Sequence, residues 1–530
     1  MNTPSPEPLP TVSGHPRVWV FMVVSCLIWA GVQWFSAGNL DGYHDMLENY
    51  AWSQAWDWGT HKHPPLFAWV VGLWFTVFPQ GDLSYRLLAY TNVAVGLWGV
   101  VALGRRLGLG AIAGVAALLL LWSFPYSTLA AKFNANAQLL SLWPWTAACL
   151  LASWQERGHK ALIYSVLLGL TAAASMLSKY YSGLFLLGFL LPVFLTGPGR
   201  HWLTTLRPYL ALLVFGLALL PHALWVIGHD GVTLAYAGDQ GAGAVQWRYV
   251  LRFLLAPLYY WLPAWLACLL TYWWVAKQQH VSPRPRPWSL AWQSWQPTGW
   301  GDVLFWLAVM PWALTLACGV AGVAELSTPW AIPIGYAYPL LWLRNLQRRL
   351  PGATEVVQEK LLRAQWPVLG GVLLLGAVLA LSNARSGQEN YYRPSQALAH
   401  QLAEDWAREH PGVRLGWVAG DWAENAVLAF YALPAVRTLP GFPDEYPARY
   451  SPHALWQTQA GLVICPLGPV TAQEPRTLGL SSCEKATQAW LTRHAWPVQV
   501  RRLQLARQGW AFPVQRPFAY AVYTVLPERP

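Results

Sequence analysis

Two apolar runs near the N-terminus decide the fold: VWVFMVVSCLIWAGVQWF (Val18–Phe35) and, after a polar loop, LFAWVVGLWFTVF (Leu66–Phe78). The first run is long enough to cross a hydrocarbon core of about 30 Å as a helix that rises about 1.5 Å per residue. The second run would reach only about 20 Å as a helix and is too short to cross. The pattern therefore predicts one membrane span, a first outer loop and a helix that lies at the interface.

Composition extends this interpretation to the whole chain. The 530 residues are 55% hydrophobic and 11% charged, against about 25% charged in a typical soluble domain, and they include 36 Trp. These values exclude a soluble globular enzyme, a disordered chain and a fibrous repeat. The net charge of +11 first suggests nucleic acid, but the loop cations lie mostly just outside apolar spans. Topology explains that charge better, and no nucleic-acid partner is expected.

Ten further apolar runs bring the predicted total to about eleven transmembrane helices. They are Leu87–Leu103, Leu109–Phe124, Leu139–Trp154, Leu162–Leu177, Leu184–Leu195, Tyr209–Ile227, Val250–Val275, Val303–Val320, Ala331–Leu343 and Val368–Leu381. In this topology fifteen Lys and Arg lie on the cytoplasmic side and six on the outer side before the C-terminal region, as the positive-inside rule requires. The sequence predicts a multi-pass bacterial inner (plasma) membrane protein with its N-terminus in the cytoplasm and its C-terminal region in the periplasm.

The predicted domains follow from the same pattern. Residues 1–17 form a Pro-rich, disordered cytoplasmic N-terminus, residues 18–384 a transmembrane domain, and residues 385–530 a small soluble α/β domain. In the last domain, helices are expected at 395–409, 422–431 and 485–493, and strands at 413–418, 461–465, 498–505 and 519–526. A disulfide between Cys465 and Cys483 is left open, and no Cys/His spacing typical of zinc occurs.

The first outer loop carries the clearest candidate chemistry. Asp41, Asp45 and Glu48 are spaced so that they share one face of a helix. Three like charges raise one another's pKa unless cations such as Lys62 and His63 offset them, and a carboxylate poised in this way suits a general base. The alternative is the solvated face of a surface helix.

Further polar residues lie near the outer ends of later spans. They are Lys132, Asn134 and Asn136 in AKFNANAQ, Lys179, Tyr180 and Tyr181 in SKYY, His222 in the seventh span, and Glu325 after the ninth. Lysines at this level suit a phosphate that arrives through the lipid, and the tyrosines suit stacking on a sugar. The alternatives are a polar loop that caps the next helix, a Lys that snorkels to the interface, and a structural His.

The run DMLENYAWSQAWDWGTHKHPPLFAW (Asp45–Trp69) resembles the first outer loop of bacterial glycosyltransferase family 39. This GT-C-class family is related to the dolichyl-phosphate-mannose protein mannosyltransferases and the lipid A aminoarabinose transferases. The shared features are an Asp-x-x-Glu start, a Trp-Gly step and a Pro-Pro-Leu turn, while KFNAN and SKYY resemble later motifs. The resemblance covers about residues 18–385 and implies a GT-C fold. It also implies inverting transfer of a sugar from a polyprenyl-phosphate carrier, such as undecaprenyl phosphate, to a lipid A, other glycolipid or other envelope acceptor.

The resemblance also implies roles for the candidate residues. Asp45 becomes the catalytic acid, with Glu48 as its partner and Asp41 as the runner-up. The candidates for the donor phosphate are Lys62, His63, Lys132, Lys179 and Arg248, and those for substrate binding are Asn134, Asn136, Tyr180, Tyr181, His222 and Glu325.

The sequence departs from the family pattern in two places. The first loop lacks an adjacent Asp-Glu pair, and Asn134 and Asn136 stand where an acid is often expected. The identity of the sugar and the need for a divalent cation are therefore open, and no nucleotide cofactor is expected. The alternative function is that of a polytopic transporter or lipid flippase, which usually carries its ionisable residues in mid-span.

Overall fold

The structure is a computed structural model. It describes residues 16–42, 45–239, 245–279, 286–420, 422–439, 441–442, 457–470, 480–508 and 515–526. The membrane part is helical. Its helices are α1 (Pro16–Ala37), α2 (Asp45–Ser53), α3 (Leu66–Val77), α4 (Asp82–Arg106), α5 (Ile112–Leu120), α6 (Ala135–Gln155), α7 (Gly158–Ser178), α8 (Ser182–Gly188), α9 (Leu190–Leu195), α10 (Gly197–Leu203), α11 (Arg207–Ile227), α12 (Val232–Asp239), α13 (Trp247–Gln278), α14 (Pro287–Ser294), α15 (Val303–Val320), α16 (Tyr338–Arg349) and α17 (Thr354–Ser386).

Seven of the described helices are long and apolar enough to cross a membrane, namely α1, α4, α7, α11, α13, α15 and α17. The segment from α8 to α10 would add an eighth, although it is bent by 106°. The predicted count of about eleven is not reached. The nine residues of α5 reach only about 14 Å, and Ala331–Leu343 divides between 3-10 turns and the start of α16. The 21-residue α6 falls outside this set because Asn, Gln, Ser and Trp lower its hydropathy.

The bundle is held together by close helix contacts at small residues. On α4, a Cβ added to Gly96 would lie 2.3 Å from the Leu140 carbonyl oxygen of α6. On α7, a Cβ added to Gly169 would lie 2.5 Å from the Ala211 carbonyl oxygen of α11. Such approaches require glycine, as is common where membrane helices pack closely.

The C-terminal part contains α18 (Glu389–Tyr392), α19 (Ser395–Glu409), β1 (Leu415–Gly420), α20 (Trp422–Tyr431), β2 (Arg437–Thr438), β3 (Ala460–Pro469), α21 (Ser482–Arg493), β4 (Gln499–Gln508) and β5 (Gln515–Val525). The strand order is β2-β1-β3-β5-β4. Strands β1, β2 and β3 are parallel, while β5 runs antiparallel to both β3 and β4. The helix α20 supplies the crossover that the parallel pair β1–β2 requires. The predicted small α/β domain is therefore present.

Most predicted elements of this part are confirmed. The helix α21 begins three residues earlier than expected, because Ser481 and Glu484 form a reciprocal capping box at its N-terminus. The two-residue strand β2 was not predicted. A disulfide joins Cys465 to Cys483, which settles the open alternative. The domain boundaries stay predictions, since α17 runs on to Ser386 and residues 1–15 lie outside the described ranges.

The C-terminal part docks on the first loop and the start of α4. The Tyr431 hydroxyl donates to Asp82 Oδ1 at 2.6 Å. The Gln54 side-chain amide donates to the carbonyl oxygens of Pro434 and Val436 at 3.2 and 3.0 Å. Because α20 also packs against α2, the soluble domain covers one side of the loop that carries the candidate chemistry.

A buried arginine joins the first loop to the second. Arg86 on α4 is only 3% exposed. Its Nη1 donates to the Ala131 carbonyl oxygen at 2.7 Å, and its Nη2 donates to the carbonyl oxygens of Asn39, at 3.0 Å, and Leu40. One guanidinium therefore holds the chain just before Asp41 against the chain just before residue 132.

We expect Arg86→Leu to destabilise the protein, because three buried carbonyl oxygens would lose their donor. An unsatisfied buried acceptor costs about 1–3 kcal/mol, so the free energy of unfolding should fall by about 3 kcal/mol or more. Thermal unfolding of the purified protein in detergent measures the effect. Arg105→Leu is the matched control, since Arg105 is exposed on the same helix. Equal small shifts in the two variants would show that Arg86 does not hold the loops.

Candidate active site

The three acids of the first loop occupy different environments. Asp45 and Glu48 lie on α2, as predicted, but Asp41 precedes the helix. The Asp41 carboxylate accepts the backbone N–H groups of Asp45 and Met46 at 3.0 and 3.2 Å, and thereby caps the N-terminus of α2. The expectation that all three acids share one helix face is wrong for Asp41, whose side chain is only 8% exposed. Burial raises the pKa of Asp41, and Lys132 opposes this shift in part.

A lysine of the second loop bridges two of the acids. The Nζ of Lys132 lies 2.8 Å from Asp45 Oδ2 and 3.5 Å from Asp41 Oδ2. Asn134 Nδ2 donates to Asp45 Oδ2 at 3.0 Å, while its Oδ1 accepts two backbone N–H groups at the start of α6. Asn134 therefore both caps α6 and orients Asp45. The Asp45 side chain is 34% exposed, so it is the accessible member of the acidic pair.

The third acid pairs with a lysine of its own loop. Glu48 lies 2.5 Å from Lys62 Nζ. Burial opposes the charged form of Lys62, but the charge and hydrogen bond of Glu48 outweigh it and raise the pKa of Lys62. Thr60 fixes the turn that presents this lysine, because its Oγ1 accepts the backbone N–H groups of Lys62 and His63. The pair therefore places beside α2 a lysine whose positive charge is balanced by Glu48.

Lys179 differs from the other two lysines of the site. Its Nζ donates to the neutral amide oxygen Oδ1 of Asn136 at 2.7 Å and lies 5.6 Å from the ring centre of Trp330. Among the described residues, no carboxylate lies within ion-pair distance of it. Burial lowers the pKa of Lys179 to about 8, although the charge of Asp45 opposes this shift. Lys179 is thus the lysine of the cluster whose charge is least compensated.

His63 does not provide the positive charge that the sequence predicted. Its ring is enclosed by the rings of Trp52, Phe67 and Tyr236, with centroids 5.8–6.3 Å away. Burial, followed by the charges of Lys179 and other neighbouring cations, lowers the pKa of His63 well below its ordinary value. His63 is therefore neutral near pH 7 and offers a hydrogen bond rather than a charge.

His222 and Tyr180 fasten the first loop to α11. Because His222 Nδ1 lies 2.5 Å from the Trp58 carbonyl oxygen, this nitrogen carries the proton and donates it. His222 Nε2 then accepts the Tyr180 hydroxyl at 2.6 Å. His222 thus contacts the first loop, and Tyr180 follows Lys179 directly in the chain. Both remain predicted substrate-binding residues.

Three predicted residues have no described contact with the cluster. Tyr181 has its hydroxyl 2.9 Å from Thr315 Oγ1, and its ring packs near Trp143 and near Trp330, the ring beside Lys179, but it has no described direct contact with the acids or lysines. Arg248 is exposed and lies over the ring of its neighbour, with its Nη2 2.6 Å from that neighbour's hydroxyl. Glu325 is exposed beside the loop that precedes α13. Their predicted roles are not supported by these contacts.

Sequence reasoning missed the structural importance of Arg86, Trp52 and Thr60. Arg86 was counted only as an outer cation, although a charged residue at the edge of an apolar run is a signal for a specific partner. No sequence feature distinguishes Trp52 or Thr60 from other loop residues, since their roles depend on the folded loop.

Among the described residues, no group of three or more His, Cys, Asp and Glu side chains is arranged to hold a metal. The closest acids, Asp41 and Asp45, instead share the ammonium group of Lys132. These residues do not fit a metal site, and no catalytic step below uses one. The need for a divalent cation stays open, as it was from the sequence.

Comparisons with known proteins bear on the family and the fold of the chain. Residues 62–225 match the family model described as dolichyl-phosphate-mannose-protein mannosyltransferase. No curated protein sequence matches the chain. ArnT from Cupriavidus metallidurans has a similar structure in the apo state, with a TM-score of 0.58 and 16% identity over 95% of this chain and 97% of that chain. The same protein bound to undecaprenyl phosphate gives a TM-score of 0.57 and 15% identity over 96% and 98%.

A third similar structure is the Archaeoglobus fulgidus oligosaccharyltransferase tethered with an acceptor peptide, with a TM-score of 0.43 and 12% identity over 85% of this chain and 69% of that chain. The ArnT similarity alone defines the fold. The chain has the GT-C fold of membrane glycosyltransferases, with a small sheet domain at its C-terminus. The match over residues 62–225 agrees with the predicted family resemblance, but it covers less than half of the chain and begins after Asp45 and Glu48.

Proposed function

We propose that the protein is an integral membrane glycosyltransferase that uses a polyprenyl-phosphate-linked sugar. It transfers the sugar, with inversion, to a lipid A, other glycolipid or other envelope acceptor at the outer face of the bacterial inner membrane. One observation carries the proposal. An accessible carboxylate, Asp45, is held by Lys132 and Asn134 close enough to Lys179 to act on its pKa. The similarity to ArnT, which has been solved with undecaprenyl phosphate, supports this type of donor.

In this proposal, Lys179 binds the phosphate of the carrier. A phosphate buried at membrane level needs charge-assisted donors. Lys62 and Lys132 already contact carboxylates, whereas Lys179 contacts a neutral amide that a phosphate oxygen can replace. We assign Lys132 as the second candidate ligand of the phosphate, because it can turn toward the phosphate while Asn134 continues to hold Asp45.

Asp45 acts as the general base when the acceptor is a hydroxyl. It takes the hydroxyl proton as the acceptor oxygen bonds to the anomeric carbon, and the bond from that carbon to the phosphate oxygen breaks. Lys179 stabilises the charge of the departing polyprenyl phosphate, and a single in-line displacement inverts the sugar. If the acceptor is a phosphate, Asp45 orients groups instead. Asp41 is the weaker candidate, since it is buried and caps α2.

The proposed topology places α2 and the C-terminal domain on the periplasmic side and the N-terminus in the cytoplasm. The polar residues support an enzyme over a transporter, because they converge in loops at one end of the bundle and not along its mid-span. Membrane lipids surround the long apolar helices, and the proposed donor reaches Lys179 from that lipid.

We expect Asp45→Asn to abolish transfer, since a positioned general base contributes about 100- to 10,000-fold to the rate. Mass spectrometry of lipids and envelope glycans compares cells with the wild type, the variant and no protein, at matched expression. One species in the variant should lose a single sugar mass, as in the null strain. Glu359→Gln, at an exposed acid on α17, is the control and should match the wild type. A wild-type profile in Asp45→Asn, with a different null strain, would contradict the assigned base.

Binding of the donor phosphate should weaken above neutral pH. The pKa of Lys179 is lowered to about 8, so its charge is present below that value and is lost as the pH rises through it. The affinity for undecaprenyl phosphate should fall roughly tenfold between pH 7 and pH 9, measured on the purified protein. Lys179→Arg should flatten this dependence because Arg stays charged, and Lys160→Met, at an exposed lysine, should leave it unchanged. The same profile in Lys179→Arg and the wild type would exclude Lys179.

A further inference from the structure

A cavity lies between the first loop and the C-terminal domain. Its volume is about 350 Å³, at the lower end of the range of about 300–1,000 Å³ for small-molecule sites. Its inner wall is buried and includes Gly59, Thr60 and Val436, while the exposed Ala55 and Arg414 lie at its rim. The cavity is thus open at one side and has the size of a site for one or two sugar rings, not for a lipid chain.

The charged groups of this cavity favour an anion. Arg437 on β2 and Arg414 just before β1 both line it, against a single carboxylate, Asp57. Burial raises the pKa of Asp57, and the charges of Arg437 and His229 oppose this shift in part. Asp57 therefore interacts electrostatically with one of the two guanidinium groups, that of Arg437. The second guanidinium, Arg414, leaves an excess of positive charge at the rim.

One aromatic side chain forms the wall between this cavity and the candidate active site. Trp52 lines the cavity. The Lys62 ammonium, which pairs with Glu48, lies 5.9 Å from the centre of the Trp52 ring. Thr60 contributes to both places, because it lines the cavity and also fixes the turn of Lys62. A molecule in the cavity would therefore sit one side chain away from the acids of α2.

We propose that this cavity binds the acceptor and that the acceptor is a saccharide with a negatively charged group, held by Arg414 and Arg437. This inference rests on the proposed transferase function. Planar guanidinium groups match the geometry of phosphate and carboxylate oxygens, and the Trp52 ring offers an apolar face for a sugar. The cavity is lined by Ala51 and Trp52 of α2, so an acceptor bound there lies beside the helix that carries Asp45.

Binding of simple sugars to the purified full-length protein tests the inference. Saturation-transfer NMR compares glucose 6-phosphate, glucuronate and the neutral methyl glucoside. We expect one or both anionic sugars to bind and the neutral sugar to bind at least about tenfold more weakly, as for the loss of a charge-assisted hydrogen bond. Binding by glucose 6-phosphate alone assigns a phosphate, and binding by glucuronate alone assigns a carboxylate. Equal binding of the neutral sugar, or no binding of either anion, would overturn the proposal.

Variants locate the bound sugar. Arg437→Gln should weaken anion binding about tenfold, and Arg437→Lys should restore part of it, which a misfolded protein would not do. Arg501→Gln, at an ion-paired arginine on β4 of the same domain, should bind like the wild type. If Lys179→Met removes the binding and Arg437→Gln does not, the anion occupies the donor site and the proposal is wrong.

The same variants separate this inference from the proposed function. If wild-type cells show no transferred sugar although the anion binds through Arg437, the transferase function fails and the acceptor role fails with it. If transfer is intact in the wild type, and both sugar binding and transfer are unchanged in Arg437→Gln, only the acceptor site is refuted.

Discussion

The site depends on one buried guanidinium. Arg86 donates to carbonyl groups just before Asp41 and just before Lys132, and so holds the first and second loops together. A charge so well buried is costly unless it is hydrogen-bonded, and here the carbonyl oxygens of two loops accept from both terminal nitrogens, Nη1 and Nη2. The ion pair between Lys132 and the two aspartates can form only because those loops meet. A helix of the bundle thus controls the geometry of a site made almost entirely of loops and helix ends.

The functional properties of the site come from unequal environments of similar groups. Asp41 and Asp45 share one lysine, but Asp41 is buried as a helix cap while Asp45 reaches solvent. Lys132 is compensated by acids, while Lys179 is held by an amide and has a lowered pKa. Pairs of titratable groups whose environments differ in this way are typical of catalytic sites. The C-terminal domain adds Arg414 and Arg437 near Trp52, and the proposed acceptor site depends on these two charges.

Much of the architecture could be predicted from the sequence because it depends on local pattern. The short apolar helix predicted over Leu66–Phe78 appears as α3, and α19 and α20 have the predicted bounds. The count of about eleven spans is not confirmed, because hydropathy cannot distinguish a span from a short helix such as α5, which is buried among its neighbours. The small α/β domain was predicted, whereas β2 is too short to leave a periodic signal.

The site was predicted only in outline, for a related reason. The acids and lysines that meet were all identified, since polar residues at the ends of apolar runs are conspicuous. Their differences were not, because capping by Asp41, neutrality of His63 and the contact of Tyr181 with Thr315 depend on the folded structure. The cavity beside Trp52 is formed by residues of the first loop and of the C-terminal domain, which are far apart in the sequence and carry no signature of it.

An experimental structure of the full-length protein in lipid nanodiscs with undecaprenyl phosphate tests most directly whether Lys179 binds the donor phosphate. We expect the phosphate to lie about 3 Å from Lys179 Nζ, to replace the Asn136 amide there, and to face Asp45. A phosphate bound elsewhere, with Lys179 still on Asn136, would contradict the assignment of the donor site and with it the proposed catalytic geometry.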